Sequence, residues 1–234
     1  MPEPKGNKRQ QAEALIRRFD PSFRQRWEIY DNLLEHLTGA DTRWLDAGCG
    51  INYAIEEFPS ALKVGIDIQR HPHVLSSPPN IFIQGELEHL PFREEAFTLV
   101  TLNTVVEHIP HPDTVFAEIH HILAPSGHVL IHTTNLHSPL ILFGKLLPDS
   151  IRTRLFTGVL GAHEKDIFRT YHKLNTPGAF RRINGFEVMD IQAVQDLNWT
   201  NRFVFLCLLL YHLFTRLPGL WRLRTNLIVL LRKK

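Results

Sequence analysis

The stretch Arg43-Trp-Leu-Asp-Ala-Gly-Cys-Gly-Ile-Asn-Tyr-Ala54, RWLDAGCGINYA, decides the fold of this chain. An apolar run leads into Asp46 and then into two glycines one residue apart, Gly48 and Gly50. A β-strand that ends in a glycine-rich turn and opens a helix brings backbone amides close to a bound nucleotide, because glycine has no Cβ to obstruct the approach. The stretch therefore predicts a nucleotide-binding turn at the end of a strand.

Two common phosphate-binding loops do not fit this turn. The chain has no P-loop motif, which would read GxxxxGK followed by Ser or Thr. The dinucleotide fingerprint GxGxxG, aligned on Gly48 and Gly50, would need a third glycine where Tyr53 stands. A carboxylate two residues before the first glycine suits a cofactor with a positively charged amino group better than a pyrophosphate. Asp46 therefore points to S-adenosylmethionine (SAM).

Short β-rich runs alternate with helical or loop segments along the chain. These runs are residues 43–45, 63–68, 81–84, 97–103, 127–133, 186–191 and 227–231. Several are continuously apolar, as in strands that helices cover on both faces, so the alternation predicts an α/β doubly wound sheet. We expect the last strand to pair with the strand at 186–191 or to insert beside it. Helices are predicted from Gln11 and over residues 22–37, with Gly39 as a stop.

Four stretches carry a family resemblance. LDAGCG resembles motif I (DxGxG) of class I SAM-dependent methyltransferases, with Asn52 where a third glycine is frequent. GELEHLPF at 85–92 resembles the family's GDAExLPF, VGIDI at 64–68 resembles its second strand, and residues 111–135 resemble its helix, turn and fifth strand. The wider segment resembles the methyltransferase type 11 group, which includes the ubiquinone and menaquinone biosynthesis enzymes.

The resemblance implies a Rossmann-like, seven-stranded doubly wound α/β sheet whose final strand is antiparallel, with apolar helical insertions around the sixth strand. We expect an N-terminal tail and helices over residues 1–38. A class I methyltransferase domain would follow over residues 39–234, with insertions at 136–170 and 199–224.

The resemblance also implies which positions bind SAM. Asp67 would accept hydrogen bonds from the ribose hydroxyls, and Glu86 would face the adenine amino group. A solvated acid at a strand end is the alternative for either residue taken singly. The full expected set is Asp46, Gly48, Cys49, Gly50, Asn52, Asp67, Ile68, Glu86, Leu87 and Asn103.

Candidate catalytic residues lie just past the fourth predicted strand, at the edge where ligands bind in this architecture. His108 and His111 are candidates for a general base, with Glu107 beside them. Some family members hold a divalent metal with an ExxEH sequence here and a later histidine, to which Glu107, His108 and His137 would correspond. Thr104 stands at the first glutamate, so we predict no metal. The alternative is that Glu107 caps the turn and His108 packs near the cofactor.

Charge is unevenly distributed along the chain. Residues 31–135 contain 14 acidic and 4 basic residues, whereas residues 197–234 contain no acidic and 7 basic residues. Nucleic-acid binding is disfavoured because the segment with the glycine turn would repel phosphates. The apolar run at 203–214 is shorter than the roughly 20 residues that a membrane-spanning helix needs. Its apolar surface must be buried against the core, a partner, a substrate chain or lipid.

These observations predict a SAM-dependent methyltransferase (EC 2.1.1.-) that methylates a small-molecule or lipid-linked acceptor, at oxygen rather than carbon or nitrogen. The basic apolar segments would contact an anionic membrane, or would form a lid or a homodimer interface. No signal-peptide core opens the chain, so we expect a cytoplasmic protein, peripheral on the inner face of the membrane if lipid is bound. The alternative is a membrane-associated SAM-fold binding or scaffold protein without turnover.

Overall fold

Seven strands form one sheet in the computed structural model, which describes residues 5–50, 57–70, 81–147, 169–197 and 201–234. The strand order is β3-β2-β1-β4-β5-β7-β6. The strands are β1 Gly39–Ala47, β2 Ser60–Asp67, β3 Ile81–Gln84, β4 Phe97–Asn103, β5 Leu123–Thr134, β6 Phe186–Val194 and β7 Asn226–Lys233. This order confirms the predicted fold class.

Strands β1 to β5 pair in parallel, and β7 runs antiparallel. The Nζ of Lys233, at the end of β7, donates to the carbonyl oxygen of Leu123 at the start of β5 (2.7 Å). Consecutive residues are buried in the central strands, as in Leu99 and Val100 of β4. This pattern follows from apolar cover on both faces of the sheet. The prediction that the last strand inserts beside β6 is confirmed, since β7 lies between β5 and β6.

The turn implied by the family resemblance within residues 111–135 corresponds to Ser126 and Gly127, and these residues lie inside β5. The pairing of β4 with β5 shifts between Phe97, which lies opposite Leu123, and Leu99, which lies opposite His128. Ser126 has a φ of +60°, and a Cβ on Gly127 would lie 2.7 Å from Leu123 Cγ. The turn is therefore a bulge that lets the chain continue as one strand.

Six helices are present in the described part of the chain. They are α1 Lys5–Phe19, α2 Arg26–Leu37, α3 Pro112–Ile122, α4 Pro139–Leu146, α5 Pro177–Phe180 and α6 Arg202–Phe214, with 3-10 turns at Val106–His108 and Leu220–Leu223. The predicted end of the second helix at residue 37 is confirmed, and Gly39, the predicted stop, is the first residue of β1. At this end the backbone N and the Oγ1 of Thr38 both donate to Leu34 O. The predicted start at Ser22 is wrong, since α2 begins at Arg26, and both the backbone N and the Oγ of Ser22 donate to Asp20 Oδ1.

The chain divides into two compact units. The sheet unit comprises Ile29–Thr134, Thr170–Gln192 and Leu227–Lys234, and the helical unit comprises Met1–Glu28, Asn135–Arg169 and Ala193–Asn226. The helical unit has its own apolar cluster, formed by Ile16, Phe23, Leu197, Phe205 and Leu209. Helices α4 and α6, which come from the segments that the sequence marks as insertions, both lie in the helical unit.

Candidate active site

The glycine turn after β1 is held against β2. The amides of Gly48 and Cys49 both donate to Ile66 O, at 2.8 and 3.1 Å. Gly48 has a φ of +71°, and a Cβ at this position would lie 2.6 Å from Val105 Cγ2. Only glycine satisfies both the left-handed backbone and this close approach.

Asp67 joins the turn to the ends of β2 and β3. Its Oδ2 accepts a hydrogen bond from the amide of Gly50 (2.9 Å), and its Oδ1 accepts one from the amide of Gln69 (2.9 Å). The backbone oxygen of Asp67 accepts from the amide of Gly85 (3.0 Å). Among the described residues, a Cβ on Gly50 would meet only Asp67 Oδ2 within 4 Å, at 4.0 Å. In this part of the chain the turn therefore borders an opening, and Asp67 lies beside it.

Asp46 is buried at the end of β1, with 1% of its surface exposed. Its Oδ1 accepts a hydrogen bond from Thr101 Oγ1 on β4 (2.6 Å), and Thr101 Oγ1 in turn accepts from Trp44 Nε1 (2.8 Å). Sequence reasoning identified Asp46 but missed Thr101, because a threonine inside a strand has no signal beyond its β propensity. The pairing of Asp46 with Thr101 across the sheet is what makes them partners.

Cys49 lies between the two carboxylates of the turn. Burial raises the pKa of its thiol to about 12, and the negative charges of Asp46 and Asp67 add to this effect. A Cβ on Gly65 would lie 2.9 Å from Cys49 Sγ, so the thiol fills the space over that glycine. Cys49 is therefore a protonated packing residue in a region of negative potential.

Other predicted cofactor residues lie at the same edge of the sheet but are more exposed. Ile68, after β2, is 58% exposed. Glu86 is exposed and Leu87 is half-buried, both just after β3. Asn52 lies outside the described residues. The carboxyl ends of parallel strands share one edge, which is where ligands bind in doubly wound sheets.

The ends of β4 and β5 are joined by a polar contact around Asn103. Its Oδ1 lies 2.8 Å from Nδ1 of His132 and accepts from Thr104 Oγ1 (3.2 Å). Thr104 has a φ of +63°, a strained conformation for a β-branched residue. Thr104 directly precedes Val105, the residue that closes over Gly48. His132 carried no sequence signal that distinguished it from the other strand histidines.

Glu107 and His108 share the 3-10 turn at Val106–His108, and Glu107 is 2% exposed. Its Oε2 accepts from Thr133 Oγ1 (2.7 Å), and Thr133 Oγ1 accepts from Asn175 Nδ2 (2.7 Å). Burial raises the pKa of the Glu107 carboxyl, and the Thr133 hydrogen bond and the charge of His108 oppose that rise. Sequence reasoning missed Thr133 and Asn175, because Asn175 approaches from a segment more than 60 residues away along the chain.

The two candidate histidines differ in their surroundings. His108 is half-buried beside Glu107, whereas His111 is exposed just before α3 and its side chain does not cap that helix. Within the described ranges, no three His, Cys, Asp or Glu side chains are grouped so that they could hold a metal ion.

The segment that carries this site matches a known protein family. The family described as "Methyltransferase domain" matches residues 45–131, which run from β1 through β5 and include the whole glycine turn and the 3-10 turn. The chain carries a methyltransferase domain with the class I fold and is a SAM-dependent methyltransferase. Its methyl donor is SAM.

Relatives of this methyltransferase act in quinone pathways, according to their names. It is 26% identical to the ubiquinone biosynthesis O-methyltransferase of Pseudomonas putida, over 67% of this chain and 69% of that protein. It is 33% identical to the demethylmenaquinone methyltransferase of Lactobacillus johnsonii, over 36% of this chain and 34% of that protein.

A solved structure supports the fold of the methyltransferase. The SAM-dependent methyltransferase of Mesorhizobium loti superposes with a TM-score of 0.56 at 17% identity, over 88% of this chain and 97% of that one. At this identity the likeness establishes the fold alone.

Proposed function

We propose that this methyltransferase moves the methyl group of SAM to a hydroxyl oxygen of a small-molecule or lipid-linked acceptor. The name of the Pseudomonas putida relative supports oxygen as the methylated atom. The name of the Lactobacillus johnsonii relative supports an acceptor of the quinone type, without specifying oxygen. We place the reaction in the cytoplasm or at the inner face of the membrane.

The main support for placing SAM at the glycine turn is the negative electrostatic potential there. Asp46 and Asp67 lie close enough to the Cys49 thiol that their charges help to raise its pKa. SAM carries a positive sulfonium and a positive amino group, so this potential favours its binding. The opening beside Gly50 leaves room for the nucleoside, and the chain's own residues therefore fit the group.

Several of the predicted cofactor residues have a role in this arrangement. An ionised carboxylate offers about four acceptor positions, and Asp67 uses two of them for the amides of Gly50 and Gln69. Asp67 can therefore accept hydrogen bonds from ribose hydroxyls as well. Exposed Glu86 would accept from the adenine amino group, while Ile68 and Leu87 would cover the base. Asp46, held by Thr101, would keep the amino-acid end of SAM near the turn.

Bound SAM supplies an electrophilic methyl group on a sulfonium. Because methyl transfer is an in-line displacement, the protein mainly aligns the acceptor and excludes water. We assign His108 as the base that takes the hydroxyl proton, because it is half-buried at the ligand-binding edge. Glu107, through Thr133 and Asn175, would position the turn that carries His108, and Asn103 would border the methyl-transfer site.

Cofactor binding is the first test. Titration calorimetry should detect binding of SAM and S-adenosylhomocysteine. Asp46→Ala and Asp67→Ala should each weaken it about tenfold or more, since a hydrogen bond to a charged group contributes about 1.5–3 kcal/mol. Asp113→Ala, which removes an exposed acid in the first turn of α3, is the matched control and should bind normally. Unchanged binding in the Asp46 and Asp67 variants would refute the assigned site.

The acceptor is the second test. Lipid and polar extracts are incubated with the protein and SAM that carries a labelled methyl group, and the labelled product is identified by mass spectrometry. We expect label on an oxygen in one product that the Asp67→Ala variant does not form. SAM binding without transfer into any extract would instead favour a scaffold protein without turnover. Label on carbon or nitrogen would disprove O-methylation.

A further inference from the structure

Helix α6 of the helical unit has two apolar faces. One is buried, where Phe205 and Leu209 pack with Ile16 and Phe23. The other is exposed to solvent along the whole helix. It consists of Phe203, Leu206, Leu210 and Phe214, which are 76%, 51%, 59% and 50% exposed. Since the first face already anchors the helix, the second is available for another contact.

Helix α4 extends this exposed face. None of its residues is buried, and Leu142, Phe143 and Leu146 are 47%, 65% and 75% exposed. Ser138, just before α4, lies 3.2 Å from the hydroxyl of Tyr211 on α6, and that hydroxyl donates to Leu223 O (2.6 Å). A groove of about 460 Å³ lined by Leu140 of α4 and by Phe203, Leu210 and Phe214 of α6 lies within the same unit. The exposed residues of α4 and α6 are called the apolar face below.

Only basic residues accompany the apolar face. The segments 136–147 and 201–226, which carry it, contain no acidic residue. Lys145, Arg202, Arg216 and Arg222 are exposed there. Exposed Trp221 is stacked under the Arg222 guanidinium, which lies 5.4 Å from the ring centroid.

We propose that the apolar face binds the surface of an anionic lipid bilayer, with α6 lying in the plane of the interface. Exposed Phe, Leu and Trp side chains combined with arginines and no acids are complementary to an apolar layer beneath negative headgroups. The 13 residues of α6 span about 20 Å, less than the roughly 30 Å of a hydrocarbon core. In the described residues no helix is long and apolar enough to cross a membrane. The contact is therefore superficial.

Membrane contact by the apolar face does not depend on which acceptor is methylated. The experiment therefore distinguishes failure of the membrane proposal from failure of the methyl-transfer proposal. The whole protein is floated with vesicles of phosphatidylcholine alone or mixed with phosphatidylglycerol. We expect binding to the mixed vesicles that falls with added salt. The double variant Leu206→Glu and Leu210→Glu should reduce it at least tenfold. The control is Ile81→Glu with Met189→Glu, which adds the same charge at exposed positions of the sheet unit and should bind normally.

The arginines are tested in the same way. Arg202→Gln with Arg222→Gln should weaken binding to the mixed vesicles about fivefold for each arginine. Each basic residue near an anionic membrane surface contributes about 1 kcal/mol to binding, which corresponds to about fivefold in affinity. The control is Arg93→Gln with Arg181→Gln, two exposed bases of the sheet unit.

Three outcomes would overturn the proposal. They are no binding to any vesicle, equal binding to neutral and anionic vesicles, and a dimer in sedimentation that the glutamate variants dissolve, which would make the face a homodimer interface. SAM binding by each variant, measured by calorimetry, shows that it is folded. Loss of vesicle binding with SAM binding retained leaves the methyl-transfer proposal untouched.

Discussion

The sheet unit and the helical unit both bury carboxylates, but they use them differently. In the sheet unit, Asp46 and Glu107 lie at the carboxyl ends of parallel strands and accept hydrogen bonds from neutral threonine hydroxyls. In the helical unit, Asp20 is paired with buried His212 on α6 (2.9 Å) and with Arg216 (3.5 Å). The threonine partners of Asp46 and Glu107 carry no charge, whereas Asp20 is matched with a histidine and an arginine inside its own unit.

The units also differ in what they expose. The sheet unit contains 16 acidic and 10 basic residues, whereas the helical unit contains 8 acidic and 16 basic residues. The sheet unit exposes polar residues around a small opening, and the helical unit exposes a continuous apolar face. Under the two proposals above, methyl transfer belongs to the sheet unit and membrane attachment to the helical unit, and four variants probe the differences between the units.

The largest effect is expected from His108→Gln. If His108 takes the acceptor's proton, kcat should fall a hundredfold or more, because positioned general bases contribute about that much. SAM affinity should not change, since the residue acts on the acceptor. His111→Gln, at an exposed position beside the same turn, should change kcat less than twofold. Equal losses in both variants would contradict the assignment.

Asp20→Ala tests the pairing in the helical unit. Removing the carboxylate leaves buried His212 without its hydrogen-bond partner, so we expect urea unfolding to show a loss of about 1–3 kcal/mol in the free energy of unfolding. Asp196→Ala is the control, because Asp196 pairs with Arg26 at a partly exposed site, and such pairs contribute at most about 1 kcal/mol. SAM binding of the Asp20 variant, where it is folded, should be normal. A similar loss from both variants would refute the special role of the buried pair.

Gly48→Ala tests the close packing of the turn. A Cβ would lie 2.6 Å from Val105 and would force a φ of +71° on alanine, so we expect SAM affinity to fall about tenfold as the turn shifts. Gly144→Ala in α4 is the matched control, since a Cβ there meets nothing within 4 Å. It should leave SAM binding unchanged and raise stability by about 0.5–1 kcal/mol. Normal SAM binding by Gly48→Ala would show that the turn is not part of the site.

The smallest effect on stability is expected from Glu107→Gln. This variant tests whether the ionised Glu107 carboxylate lowers the free energy of unfolding as pH rises. Burial raises the folded-state pKa of Glu107, so its contribution to stability is present below the ordinary carboxyl pKa and is lost as pH rises through the folded value. Glutamine removes that loss and can still accept from Thr133. We therefore expect the variant to match or exceed the wild type by less than about 1 kcal/mol at neutral pH, with a flatter stability profile. A steeper loss with rising pH would contradict the raised pKa.

The helical unit should show the opposite pH dependence. Although burial acts to raise the pKa of Asp20, hydrogen bonds from Ser22 and His212 and the charge of Arg216 hold it below its ordinary value. Burial lowers the pKa of His212. Both shifts favour the folded state at higher pH, so this stability is lost as pH falls below about 6.5, the ordinary histidine pKa, and further as Asp20 is protonated. In an acid titration followed by circular dichroism, Asp20→Ala should remove the part of this loss that comes from protonation of Asp20. It should also steepen the loss below about pH 6.5, because Asp20 opposes the lowering of the His212 pKa.

The elements predicted best were the continuous apolar strands. The bounds of β3 and β4 matched at both ends, and the insertion of β7 beside β6 was confirmed. The starts of the first two helices were predicted less well, although the end of α2 at residue 37 matched. Side-chain hydrogen bonds at Asp20 hold Ser22, the predicted start of α2, before the helix. The bulge in β5 was predicted as a turn. The sequence alone does not show that β5 pairs with β4 on both sides of the extra residues, since that pairing is set by the sheet.

Sequence by itself determined the class of the fold, the glycine turn and the acid at the end of each of the first two strands, because these depend on local backbone geometry and on short spacings. It also revealed the separation of acidic and basic segments. Only the tertiary structure decided that Asp46 pairs with Thr101, that Asn175 reaches Thr133 behind Glu107, and that α6 buries one apolar face and exposes the other. Those outcomes depend on which distant segments pack together, and a buried polar group is satisfied by whichever partner the folded chain brings to it.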